Sequence, residues 1–148
     1  MFKRILVLLD GSVSSEAVLP RVKDLIEGSA GEEMIFLRVI EPLDAGVISA
    51  LSPQTVSELN IVTRKEAESY LKKMSEPFAI KGLRVKTLMK EGKVAETILD
   101  TAIRVKADLI AMASHGRGGL ARFALGSVAD RVMRYAQIPV LVVRVQTG

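Results

Sequence analysis

A run of five apolar residues, Ile5-Leu6-Val7-Leu8-Leu9, broken off by Asp10-Gly11-Ser12, limits most sharply what this chain can fold into. An unbroken apolar run of this length has no polar face, so as a strand it needs cover on both sides. Asp10 and Gly11 end it in a turn, and Ser12 is placed to cap a helix. That helix is predicted to bury Val18, Val22 and Leu25 and to stop in the segment Gly28 to Gly31. Met34 to Ile40 then supplies a second strand.

The alternation continues along the chain. Pro42 to Pro53 reads as a loop, although Val47, Ile48, Ala50 and Leu51 make it apolar for exposed chain, which suits packing against its own domain as well as a lid or subunit contact. Thr55 to Ala79 reads as a long helix with Leu71, Met74 and Phe78 on one face. Leu83 to Met89 carries a weak period-two signal for a third strand, and Glu91-Gly92 marks a turn. Val94, Ile98, Ala102 and Val105 share one helix face, Leu109 to Ala113 forms a fourth strand, and Val128, Val132 and Tyr135 mark the last helix. Pro139 to Val145 is the fifth strand.

Strands alternating with helices predict an α/β fold: a five-stranded, mainly parallel, doubly wound sheet with helices on both faces. The 148 residues suit one domain spanning 1–148. In such sheets a ligand lies beyond the carboxyl ends of the strands where chain order reverses, which points to Asp10, to Val39–Glu41 and to Ala113 onward.

Composition narrows the chemistry. With no cysteine there is no disulfide framework, thiolate nucleophile or Cys-based metal site, and a reducing, cytoplasmic setting suits the chain. The apolar run after Met1-Phe2-Lys3-Arg4 is too short for a signal peptide, and no run approaches the ~20 residues of a membrane span. The net charge of +4 comes from scattered side chains and aromatics make up only 4%, so the basic, ring-bearing groove of a nucleic-acid binder is not expected. A single histidine leaves no His-rich metal site. Ser114 lies between Met112 and Gly116 rather than in the G-x-S-x-G turn of a hydrolase.

The most informative stretch is Ser114-His115-Gly116-Arg117-Gly118-Gly119, followed by Gly126-Ser127-Val128 ahead of the last helix. Glycines let main chain approach a ligand, and free amides opening a helix favour an anion. The spacing is neither the P-loop nor the G-x-G-x-x-G dinucleotide pattern. No lysine stands at this loop to assist phosphoryl transfer.

The spacing Ala113-Ser114-His115-Gly116, nine residues, Gly126-Ser127 resembles the universal stress protein family, whose ATP-binding members carry G-x2-G-x9-G-[ST] there. The opening Ile-Leu-Val-Leu-Leu-Asp-Gly-Ser, Leu37-Arg38-Val39, Glu91-Gly92 and the closing Ile138-Pro139-Val140-Leu141-Val142-Val143 are similar to it as well. The resemblance implies an adenine nucleotide α-hydrolase-like sheet, a homodimer joined through the last strand (Val140 to Val145), and ATP or AMP in the crevice. Asp10 and Val39 would border the adenosine, with Met112 and Ala113 flanking it. Gly116 would sit against ribose and phosphates, and Gly126, Ser127 and Val128 would contact phosphate. Any Mg2+ would be held chiefly through the phosphates, near Asp10, Glu41 and Asp44. Ala113 departs from the motif's first glycine: at positive φ its methyl would cost about 1 kcal/mol or more, whereas extended backbone accepts it. The function implied is an ATP-binding stress-response regulator; a nucleotide-free dimeric interaction protein and a slow ATP hydrolase are the alternatives.

Overall fold

The computed structural model describes residues 2–28, 31–80, 82–114 and 126–145. Its strands are β1 (Arg4–Leu8), β2 (Glu33–Ile40), β3 (Arg84–Glu91), β4 (Leu109–Ser114) and β5 (Val140–Arg144). The helices are α1 (Val18–Glu27), α2 (Ala45–Ala50), α3 (Pro53–Ser75), α4 (Val94–Arg104) and α5 (Ser127–Tyr135). The five strands form one sheet in the order β3-β2-β1-β4-β5, and all four pairings between neighbours are parallel. The doubly wound α/β architecture read from the alternation is therefore the observed one.

β1 is the middle strand, and its apolar run is unbroken because both faces are covered. Ile5, Val7 and Leu9 pack on one side with Val18 and Val22 of α1 and Leu71 of α3. Leu6 and Leu8 pack on the other with Ile98 of α4 and Val132 of α5. Removing a large apolar side chain of this kind from water is worth about 1.5–3 kcal/mol, so these two layers supply the main driving force. β3 is an edge strand with only half-buried residues, Val85, Leu88 and Met89 among exposed Arg84, Lys86 and Lys90. That explains its weak alternation and an extent shifted to Arg84–Glu91 from the expected Leu83–Met89.

Four local expectations are corrected. Between Pro42 and Pro53 the chain forms α2, because Asp44 caps it by accepting from the Gly46 amide at 2.6 Å. α2 buries no residue, and its apolar Val47 and Ile48 stay exposed, so it lacks the inward face that signals most helices. α3 begins at Pro53, with Ser52 accepting from the Thr55 amide at 3.1 Å, and ends at Ser75 before a short 3-10 turn, Glu76–Phe78. In α1 the inward residues are Val18, Val22 and Ile26, leaving Leu25 half-buried. Tyr135 points outward, 60% exposed, while Ala129 joins Val132 inside.

Candidate functional site

Chain order reverses between β1 and β4, and the carboxyl ends of these strands and β2 stand side by side. Leu8 pairs with Leu37, Val7 pairs with Ala111, and the Leu9 amide continues the ladder to the Leu37 carbonyl at 2.9 Å. Asp10, Val39, Met112 and Ala113 each lie one or two residues beyond these pairs, so the sheet brings them to one edge. Val39 and Met112 belong to the apolar layer under α4 and α5, and Ala113 to the layer under α1 and α3.

The turn after β1 is held by its own side chains. Asp10 Oδ1 accepts from the Ser12 amide at 2.8 Å and from the Ser12 hydroxyl at 2.6 Å. Ser12 Oγ accepts from the Ser15 amide at 3.1 Å, so the serine expected to cap a helix braces the approach to the 3-10 turn Ser15–Ala17 instead, while the N-cap positions of that turn and of α1 are Ser14 and Ala17. The Ser15 hydroxyl donates to the Ser12 carbonyl at 2.8 Å and accepts from the Asp10 amide at 3.3 Å. Five local bonds thus hold the turn, two of them to the Asp10 carboxylate.

Ala113 lies in β4, and among the described non-glycine residues only Lys106 has positive φ. The extended alternative holds at Ala113, and its methyl carries no left-handed strain. Gly126 is different: φ 82° and ψ 154° fall where essentially only glycine is found. It precedes α5, its carbonyl accepts the Asp130 amide at 3.0 Å, and among the described residues no side chain caps the helix. The amides of Ser127 and the residues after it therefore open α5 with their positive dipole end uncapped, a donor set that fits a phosphate. Ser127 is exposed and Val128 half-buried. Gly116, with His115, Arg117 and Arg122, lies outside the described residues. Among the described residues no three His, Cys, Asp or Glu side chains group as metal ligands, so Asp10, Glu41 and Asp44 form no protein cage for Mg2+.

Sequence reasoning missed what lies beneath the Asp10 turn. Gly11 has φ 88°, and the place a Cβ would take is occupied by Arg38, with Nη1 2.6 Å and Cζ 2.9 Å away. The Arg38 guanidinium also lies 5.4 Å from the centroid of the Tyr70 ring on α3. The Tyr70 hydroxyl is buried. Burial first, with the charges of Glu16 and Asp10 adding, holds its phenol above the ordinary 10.0, while the nearby Ser15 hydroxyl opposes the shift. The available signal was a lone arginine inside the otherwise apolar run Met34–Ile40.

The universal stress protein family model matches residues 1–144. Universal stress protein MJ0531 of Methanocaldococcus jannaschii is 38% identical over 145 residues, covering 97% of this chain and 83% of the relative. The solved structure of MJ0577, from the same organism, superposes with a TM-score of 0.83 at 30% identity, covering 100% of this chain and 99% of the other. An Arabidopsis thaliana universal stress protein family structure with AMP bound shares the fold at 15% identity and a TM-score of 0.68, covering 98% of this chain and 93% of the other. With the predicted sheet realised and the family model matching nearly its whole length, this chain belongs to the universal stress protein family.

Proposed function

We propose that the protein is an ATP- or AMP-binding regulatory protein of the stress response, acting in the cytoplasm as a single domain. The observation that carries this reading is the alignment of Asp10, Val39, Met112 and Ala113 along one sheet edge, at the reversal of chain order. Gly126, Ser127 and Val128 add the uncapped opening of α5. In this reading Asp10 and Val39 border the adenosine and Met112 and Ala113 form the crevice floor. Gly116, Gly126, Ser127 and Val128 take the phosphates, with any Mg2+ held through them. AMP bound to a family relative of the same fold supports the choice of an adenine nucleotide. Occupancy regulates only if two shapes of the protein differ in nucleotide affinity.

The test is to denature purified protein and identify released small molecules, and to titrate the protein calorimetrically with ATP, ADP, AMP and cyclic AMP. Absence of any adenine compound, with no heat up to millimolar ligand, would leave the nucleotide-free interaction protein as the function. A homodimer through β5 belongs to the same proposal, because β5 is an edge strand bearing half-buried Val140 to Val143. Phe2, Leu25, Leu109, Pro139 and Leu141 line an apolar groove beside it.

A further inference from the structure

We infer that Arg38 is a positioning residue for the Asp10–Ser12 turn, its guanidinium wedged between Gly11 and Tyr70 so that Asp10 is held toward the crevice. The bearing of this on ligand affinity rests on the nucleotide reading above. Asp10 aims its carboxylate through bonds to the amide and hydroxyl of Ser12, so its direction follows the conformation of the turn. Ser15 ties that turn to the start of α1 from one side. On the other side the nearest atoms to the missing Cβ of Gly11 are Nη1, Cζ and Nη2 of Arg38, at 2.6, 2.9 and 3.1 Å.

A glycine at φ 88° is the most pliable point of such a turn, and the guanidinium removes that freedom by filling the space against it. Tyr70 backs the guanidinium with its ring, and an ammonium there could keep the attraction to the ring but not the flat surface that fills the space against Gly11. Arg38 is the only charged residue of β2 after Glu33, in a strand whose other interior positions are apolar. Arg38 is half-buried, and its guanidinium lies against the turn that carries Asp10 and over the Tyr70 ring of α3.

The experiment uses Arg38→Lys, which keeps the charge and the apolar stem but loses the plane. Amide hydrogen exchange is followed at Gly11 and Ser12 and at β1 residues Leu6 and Leu8, alongside urea unfolding and calorimetry with ATP and with AMP. Exchange at Gly11 and Ser12 should rise roughly tenfold with the β1 amides and the urea midpoint unchanged, and affinity should fall roughly tenfold. Unchanged exchange at Gly11 and Ser12, or a uniform rise that tracks a lowered midpoint, overturns the proposal. The exchange readout needs no ligand: a wild-type protein that binds neither ATP nor AMP removes the nucleotide reading and leaves Arg38 to be judged on the turn.

A second arm uses Gly11→Ala. Its Cβ would meet the guanidinium, so its destabilisation should be smaller in an Arg38→Ala background, where only the backbone strain remains. Equal destabilisation in the two backgrounds would show that Arg38 does not bear on Gly11.

Discussion

Arg4 donates through Nε to Glu33 Oε2 at 2.7 Å, joining the first residues of β1 and β2 at the end of the sheet remote from the crevice. Lys86 of β3 brings its ammonium to 2.8 Å from Oε1 as a charge contact without hydrogen-bond alignment, and Arg84 lies 4.0 Å from Oε2. Glu33 is 3% exposed, and its one carboxylate bridges the starts of three adjacent strands. Glu33→Gln leaves the basic side chains facing one another. Lys86 and Arg84 are well exposed and solvent screens them, so the expected loss is about 1–3 kcal/mol rather than that of a fully buried pair. A lower urea midpoint with unchanged slope would show it, and an unchanged midpoint would assign register to packing alone.

The same carboxylate gives the fold a dependence on acid. Lys86 first, and Arg4 with it, hold Glu33 below its ordinary 4.5 against the opposing effect of burial. A carboxylate with a depressed folded-state value binds protons more readily in the unfolded chain. Its stabilisation is therefore complete above about pH 4.5 and is lost as pH falls through the folded value. The stability difference between wild type and Glu33→Gln should be constant near neutrality and close below that point. A difference that stays level into acid would contradict the assignment.

β1, β2, β4 and β5 were legible as largely apolar runs, and a run covered on both faces, such as Ile5–Leu9, admits few other readings, whereas edge strand β3 showed only weak alternation. α2 was not, since its stability comes from the Asp44 cap and it buries nothing. The crevice residues of β1, β2 and β4 were legible from topology, because position at a strand end does not depend on side-chain detail. Arg38 was not, because its role depends on Gly11 and Tyr70, distant in sequence and adjacent only after β2 and α3 have docked. The Glu33 cluster was hidden for the same reason.

Ser52 caps α3 by accepting from the Thr55 amide at 3.1 Å, with Pro53 at the first helical position. The half of α3 that follows exposes Leu59, Ile61 and Val62, and the buried residues Ala67 and Leu71 come later. The cap therefore does work that packing does elsewhere. Ser52→Ala should cost about 1 kcal/mol, and amide exchange should rise in the first turns of α3 while residues near Leu71 stay protected. Uniform protection along the helix would mean that α2 holds its start.

Gly126 and Ser127 separate backbone need from ligand contact. At φ 82° and ψ 154°, Gly126→Ala places a methyl on backbone that side chains avoid, so it should destabilise the protein by about 1–3 kcal/mol with or without nucleotide. Gly126→Asp adds a negative charge at the opening of α5, where phosphate is expected, and should abolish ATP binding as well. Ser127→Ala alters no strained torsion and removes a hydroxyl that is exposed in the free protein, so its thermal midpoint should match wild type. If the hydroxyl meets phosphate, losing one such bond should weaken ATP by about 1.5–3 kcal/mol, or roughly ten- to a hundredfold, with AMP less affected when the bond is to an outer phosphate. Calorimetry on the folded Ser127→Ala and Gly126→Asp variants decides the matter. Wild-type affinity in both would move the phosphates away from the start of α5, whereas loss in Gly126→Asp alone would mean that backbone amides hold them without the hydroxyl.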